Sequence, residues 1–539
     1  MQKKLTYVKI RIQIYIRIDF AYEQKEEKMN SSIVNLIFLG VIIVFAAVGA
    51  LKGLKDGLFK SLITLACVVV SAVAAFILTG VIAEKFAPVA AEKLSEFLQS
   101  GEAADIAAAS PSLREYLPIV ASALISPLCF LALFIVCRIV FAIIGGIIKF
   151  IFKALPTIPF SRLFGMAVSL VASLVAAVCL LMPFAGYLNA ASTYYTKLED
   201  GGVITATEEG KNLEDIIKNS KDKTGVKIVY GLTGKFFDGF LEVKKSDGSK
   251  VSLYTELDAV CAIVPHVMDL TETDFSDVAN INVQPVYDII EDLSMSAEIK
   301  RIVAEVLSAA ATKWKNGEEF MGLNIKDSLP EEYKNSLDAS LEKLSNTTFA
   351  TVEADLTDFA HATEALVKLY KYTETLSSAD GTAEKAALEL GDALKALTPG
   401  AADIIGDAVK TIISNDLGLS DENAETVGDI VKDSLKKVAE TETDEEKEKE
   451  AEALSEIINC ATDTSKIAAN ADKLVSAVTS SEVIKAAVES AAKAGAGIVV
   501  DDKTKKEILE AASAYKSGEG VTDEQKQTVD YLLKLFGLK

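Results

Sequence analysis

The chain has 539 residues, a formal net charge of −22 and hydrophobic residues at half of its positions. This length is enough for two or three folding units. Residues 1–200 carry a net charge of +5, whereas residues 201–539 carry −27. The acidic part argues against nucleic-acid binding, which needs Lys and Arg to neutralise phosphates, and it is a poor match for anionic lipid.

The first 28 residues do not resemble the apolar segment that follows them. Their stretch "YVKIRIQIYIRI" alternates apolar and polar residues, and its basic residues exclude a signal peptide. From Met29 the sequence "MNSSIVNLIF" is a natural opening for a membrane protein. We therefore expect translation to start at Met29, with residues 1–28 as upstream or disordered sequence.

Four apolar segments follow within residues 29–190. Each reaches the roughly 20 residues that cross a bilayer at 1.5 Å per residue. The sequence therefore predicts a four-helix transmembrane domain over residues 29–190. The segments are 33–51, about 58–82, a run starting near 117, and about 163–188.

The loops between these segments differ in charge. The second loop, about 83–116, has six acidic residues against three basic ones. Because short loops rich in Lys and Arg stay in the cytoplasm, we predict the first and third loops inside and the second outside. The acidic region then faces away from the cytoplasm. The basic residues of the first and third loops are Lys52, Lys55, Lys60, Lys149, Lys153 and Arg162.

Arg138 lies in the third apolar segment. It follows Leu117 by 21 residues, which is about 32 Å along a helix that starts at the outer face. We therefore predict it near the inner interface, where its guanidinium reaches water, with residues 139–153 as a helix along or just below the inner surface. The other interpretation is that an intramembrane arginine marks an ion path.

Gly49, Gly53 and Gly57 recur every four residues in "GALKGLKDGLFKSL". On one helix they would line a face that another helix approaches closely. In a turn they would supply positive φ. The adjacent lysines favour a turn for Gly53 and Gly57, while Gly49 remains a packing residue.

The order of these features resembles the CvpA (colicin V production protein) family of bacterial membrane proteins, over residues of about 30–190. The resemblance rests on the first span, the Gly- and Lys-rich hairpin, the next two spans and the basic linker into "SRLFGMAVSLVASLVAAV". Members often have Asp or Asn directly before the arginine of this last motif, where this chain has Ser161. The structural candidates are Gly49, Gly53, Gly57, Lys52, Lys55, Arg138, Arg162 and Gly165.

This resemblance implies a multi-pass protein of the bacterial cytoplasmic membrane, tied to bacteriocin production or export and to the cell envelope. Some relatives fuse the membrane unit to an extracytoplasmic protease, which parallels the outside location predicted here from loop charge.

The acidic part is predicted to be mainly helical, so the fold class is all-α. Residues 191–255 form a polar transition with a hairpin near "KKSDGSKV", and residues 256–539 form an acidic helical domain with apolar residues at three- and four-residue spacing. Thr522 and Gln525 predict a capping box for the last helix. Pairing of Cys261 with Cys460 is left open.

No pattern of an active site, cofactor site or metal site is found in the sequence: G-x-S-x-G, H-E-x-x-H and P-loop motifs are absent. We therefore expect no enzyme activity. The expected function is to anchor the acidic helical domain for binding an unidentified envelope or secreted protein. The alternative is a component of a transport or export path, formed by a homo-oligomer.

Overall fold

A computed structural model describes most of the chain. The described residues are 31–98, 103–151, 159–204, 211–244, 249–273, 277, 280–322, 324, 338, 340–377, 390–405, 432–440, 443–461, 464–493 and 500–539. The segment 1–28, for which we predict an upstream origin, lies outside them. The chain divides into two compact units, one comprising residues up to Met268 with Asp292–Ile302, and the other comprising Asp269–Glu291 with Val303–Lys539.

Three helices of the first unit are long and apolar enough to cross a membrane. They are α1 (Ser31–Leu98), α3 (Pro111–Ile151) and α4 (Pro159–Asp200), with the short α2 (Ala103–Ala109) between the first two. α1 contains both the first and the second predicted spans, because two helices join across a kink at Gly57. The predicted fold class, an apolar helical membrane domain followed by a mainly helical region, is confirmed.

The membrane helices bury a core of small and large apolar side chains and expose many other large apolar ones. α1 packs along both α3 and α4, around a buried cluster that includes Phe130, Phe134 and Ala172. Leu36 and Ile143, in contrast, are 71% and 62% exposed. An outward apolar surface of this kind is unfavourable in water and favourable against lipid.

A cap of short elements follows α4 and packs on the same bundle. It consists of α5 (Lys211–Ser220), α6 (Thr224–Phe240) and the antiparallel hairpin of β1 (Glu242–Lys244) and β2 (Lys250–Ser252). α6 contacts α1, α3 and α4. Its Phe237 and Phe240 lie in the same buried cluster as Phe130. Much of the segment 191–255 therefore packs on the membrane helices, although its composition is polar.

The remaining helices are α7 (Leu253–Glu272), α8 (Gln284–Leu293), α9 (Ala297–Lys315), α10 (Val352–Ser377), α11 (Asp444–Ala461), α12 (Thr464–Ala469), α13 (Ala471–Ser480), α14 (Glu482–Lys493), α15 (Asp502–Lys516) and α16 (Asp523–Leu535). Helices α11 to α16 share a core in which Val475, Ile508 and Val529 are fully buried. The predicted capping box of Thr522 and Gln525 is present at the start of α16.

A buried carboxyl group supports the start of α14. Glu450, on α11, is 3% exposed, and it accepts hydrogen bonds from the Ser481 hydroxyl and from the Glu482 backbone N–H. The bond from the Glu482 N–H satisfies a backbone donor that helix α14 leaves open at its N-terminus, and the bond from Ser481 holds the residue just before the helix. Burial nevertheless raises the pKa of Glu450 above its ordinary value, although the hydrogen bonds act in the opposite direction.

Glu450→Gln should become relatively more stabilising as the pH rises. A carboxyl whose pKa is raised by folding binds its proton more tightly in the folded state, so its contribution to stability is present below its unfolded pKa and is lost as the pH rises through its folded pKa. A glutamine at this position does not titrate, so its contribution to stability does not fall as the pH rises. Thermal unfolding of the full chain in detergent, at about pH 4.5 and about pH 7, should therefore show the midpoint difference between variant and wild type increasing with pH. The exposed Glu452 on the same helix provides the control Glu452→Gln, and an equal pH response of both variants would contradict the expectation.

Candidate functional site: the Gly57 kink

The kink in α1 depends on the backbone of Gly57. Its φ of 72° and ψ of 176° lie in a region that residues with a Cβ rarely adopt. The chain reverses here between the first two apolar segments, as predicted for a turn at Gly57. We use the term kink cluster for Gly53, Asp56, Gly57, Lys149, Ser161 and Gly165.

Three glycines of the kink cluster bring two backbones into direct contact. A Cβ on Gly53 would overlap the Gly165 carbonyl group and would lie 2.7 Å from the Met166 Cα. A Cβ on Gly165 would lie 2.8 Å from the Gly53 carbonyl oxygen and would overlap the Gly57 backbone. Gly53 is helical, so the prediction of a turn at this residue is wrong. Glycine is needed at position 53 because a side chain would block the close packing of α1 on α4, not because the backbone has a positive φ.

Gly49 extends the same contact one turn further. A Cβ there would lie 2.8 Å from the backbone oxygen of Ser169 and 2.6 Å from the Ser173 Cβ. Gly49 and Gly53 therefore form a small-residue face on α1, against which α4 packs at backbone distance. The packing interpretation of Gly49 describes its environment correctly.

A lysine of α3 forms an ion pair at the kink. Lys149 Nζ lies 3.5 Å from Asp56 Oδ2, with the two side chains 20% and 27% exposed. The same ammonium group donates a hydrogen bond to Thr64 Oγ1. Because both charges are largely shielded from water, each needs its partner, and removal of one would leave the other uncompensated. This pair links α3 to both halves of α1.

Ser161, near the start of α4, forms a hydrogen bond with the backbone at the kink. Its hydroxyl oxygen accepts a hydrogen bond of 3.1 Å from the Leu58 backbone N–H, the first donor after Gly57. The N–H groups at a helix start lack partners within the helix, and Ser is a favoured acceptor for them, as are Asp and Asn. Ser161 therefore provides the acceptor at the position where the resemblance leads us to expect Asp or Asn.

Basic side chains surround the kink cluster. Lys52, Lys55 and Arg162 are exposed, whereas the Lys149 ammonium is engaged with Asp56 and Thr64. The structure thus brings together six of the eight candidate residues in the Gly57 region, with Gly49 one helical turn away. The remaining candidate is Arg138.

Arg138 lies away from the kink. α3 continues to Ile151, so Arg138 precedes Lys149 by 11 residues, or about 16 Å along the helix. The exposed apolar side chains of Ile135 and Ile139 flank it. Residues 139–151 extend α3 as one continuous helix. The location of Arg138 near the inner interface and of residues 139–153 along or just below the inner surface both stay predictions.

The opposite end of the bundle is joined to the cap by hydrogen bonds. Asp215 on α5 accepts a 2.7 Å hydrogen bond from the Ser31 backbone N–H at the start of α1, and this bond lowers the pKa of the Asp215 carboxyl. Asn35 Oδ1 accepts a 2.9 Å hydrogen bond from the Gly225 backbone N–H at the start of α6. The cap is thus fixed to the first turns of α1.

The Gly57 kink and the two long helices that pack against α1 lie within a stretch that matches a known family. Residues 38–199 match the family model described as Colicin V production protein. The membrane domain is a CvpA-family domain with a long C-terminal extension. No curated protein and no solved structure matches the chain. The match confirms the resemblance given by the spans and the "SRLFGMAV" motif, and it ends at residue 199, before the cap and the acidic helices.

Some residues of this site were missed by sequence reasoning. The Asp56–Lys149 pair joins residues far apart in the chain, and no local pattern connects them. The turn prediction for Gly53 followed from the adjacent lysines, but their side chains point outward while the glycine faces α4. Cys261 is buried and not in a disulfide, and the Cys460 side chain lies outside the described residues.

Proposed function

We propose that this protein is a CvpA-like component of the bacterial cytoplasmic membrane that anchors its acidic helical region on the extracytoplasmic side, for binding an envelope or secreted protein linked to bacteriocin production. The distribution of charge around the bundle carries this proposal. Lys52, Lys55 and Arg162 are exposed at the kink end, and basic residues next to spans favour the cytoplasmic side.

The path of the chain leads to the same proposal. α4 begins beside the kink, where Ser161 meets Leu58. It ends at Asp200 beside the cap, since Lys218 of α5 forms an ion pair with Glu199. The chain therefore leaves the bundle at the end opposite the exposed basic residues. Everything after α4, including most of the acidic residues, would start from the extracytoplasmic side.

A sidedness measurement tests the proposal. In a chain with its native cysteines replaced, Glu519→Cys lies in an exposed turn after α15 and Lys55→Cys lies at the kink end. A membrane-impermeant thiol reagent should label Glu519→Cys in intact spheroplasts and Lys55→Cys only after lysis. Labelling of both in denaturant controls for reactivity. The reverse pattern would put the acidic region in the cytoplasm and would make a cytoplasmic scaffold the better function.

A transport or export path is the second candidate, and Arg138 favours it. A half-buried arginine among apolar side chains of a span is costly and is often functional. Among the described residues, however, no ion pair of Arg138 is found, and no acidic residue is available to relay a proton beside it. We therefore place anchoring first.

A further inference from the structure

Helix α6 of the cap has three faces. Its buried face packs on the membrane helices and includes Val226, Val229 and Phe237, all fully buried. The outward side is divided lengthwise into an apolar stripe and a polar strip. The apolar stripe is Ile228, Leu232 and Phe236, which are 46%, 65% and 61% exposed. The polar strip is Lys227, Gly231 and Lys235, which are also exposed.

The spacing explains this division. Residues four apart on a helix lie on nearly the same side, so Ile228, Leu232 and Phe236 form one continuous line. Each residue of the polar strip precedes one of these by a single position and is rotated from it by about 100°. An apolar stripe of three large side chains at the surface of a folded unit usually marks a contact with lipid or protein.

The stripe lies at the level where the membrane surface should be. Val226 and Val229 share a buried cluster with Phe38 and Leu181. Phe38 precedes Gly57 by 19 residues, which is about 28 Å along the helix, against a hydrocarbon thickness of about 30 Å. α6 therefore lies near the end of the apolar belt that begins at the kink.

Exposed apolar side chains of the spans occur at the same level as α6. At the level of Phe38 and Leu181, the neighbouring side chains of Ile37 and Phe184 are 51% and 48% exposed. These side chains belong to helices that cross the bilayer, and they face outward. An outward apolar stripe at this level is exposed to the same lipid.

From this arrangement we infer that α6 is an interfacial membrane helix. Ile228, Leu232 and Phe236 insert among the acyl chains at the boundary of one leaflet. Lys227 and Lys235 extend toward the headgroup phosphates, as lysines do beside apolar surfaces. The buried face meanwhile holds the helix on the bundle. The inference rests on the membrane domain and the cap alone, and it holds whichever side the acidic region occupies.

Spin labels on adjacent residues test this inference. In the full chain with native cysteines replaced, Leu232→Cys places a label on the apolar stripe and Gly231→Cys places one on the polar strip. The Gly231 site is a matched control because a Cβ there meets no atom within 4 Å. Both proteins would be reconstituted in vesicles of phosphatidylethanolamine and phosphatidylglycerol. The accessibility of each label to oxygen and to a water-soluble nickel complex would then be measured.

The ratio of oxygen to nickel accessibility should be severalfold higher for Leu232→Cys than for Gly231→Cys, because oxygen concentrates in lipid and the nickel complex stays in water. Equal ratios, with free access of the nickel complex to both labels, would put the stripe in water and overturn the inference. A Leu232 label shielded from both reagents would also overturn it, since the stripe would then be covered by protein.

Discussion

Gly165→Ala is expected to destabilise the membrane domain by roughly 1–3 kcal/mol, the usual cost of inserting a methyl group where no space exists. The added Cβ would overlap the Gly57 backbone and would lie 2.8 Å from the Gly53 carbonyl oxygen. Backbone atoms cannot rotate away as a flexible side chain can. α1 and α4 would therefore have to separate at the kink, which would weaken the Leu58–Ser161 hydrogen bond. Gly53→Ala should have a similar effect, because its Cβ would meet the same contact from the other side.

The matched controls are glycines of the membrane helices at which an added Cβ meets no close neighbour. A Cβ on Gly80 in α1 or on Gly146 in α3 meets no atom within 4 Å, so Gly80→Ala and Gly146→Ala should leave stability unchanged or slightly increased. The measurement is the fraction of purified protein that stays monodisperse in detergent after heating over a range of temperatures. If Gly165→Ala and Gly146→Ala lost monodispersity at the same temperature, the backbone contact would not be a determinant of the fold.

The spans were predictable because their physical cause is local. A run of about 20 apolar residues is recognisable from composition alone, and the charge contrast between the loops needs only counting. The kink at Gly57 was also predictable, since glycines and lysines between two such runs favour a reversal. What composition could not give was the length of each helix. α3 continues past Arg138 to Ile151, so Arg138 lies about 16 Å along the helix from Lys149.

The cap was not predicted as a packed helical element. α6 contains Gly225, Gly231, Gly234 and Gly239, and glycine destabilises an isolated helix. Gly225, however, allows contact with Phe38, whose Cβ would lie 2.7 Å from an added Cβ. A single sequence does not distinguish a glycine selected for flexibility from one selected for close approach. The four-residue spacing of Ile228, Leu232 and Phe236 does indicate an apolar helix face. Its contact with lipid can be inferred only once the lipid-facing side of the bundle is known.

Phe237→Ala is expected to be the most destabilising single change in the cap, at about 3–5 kcal/mol. The side chain is fully buried, its ring packs directly on Gly186 of α4, and it meets Tyr187 edge-on with ring centroids 5.3 Å apart. Its removal leaves a cavity between α6 and α4 that neither helix can close without shifting. The neighbouring Phe236→Ala is the matched control, because the same atoms are lost from a side chain that is 61% exposed. Thermal unfolding in detergent should show a large loss for Phe237→Ala and a small one for Phe236→Ala.

A double-mutant cycle with Gly186 distinguishes a lost contact from general damage. Gly186→Ala alone should be destabilising, because its Cβ would overlap the Phe237 ring. In the Phe237→Ala background the same methyl group enters the cavity and should be tolerated or favourable. The two changes should therefore be less destabilising together than the sum of their separate effects, by the 0.5–3 kcal/mol or so that is typical of contacting residues. Simple additivity would mean that α6 does not dock on α4 through this contact, and the position of the cap at the membrane surface would lose its structural basis.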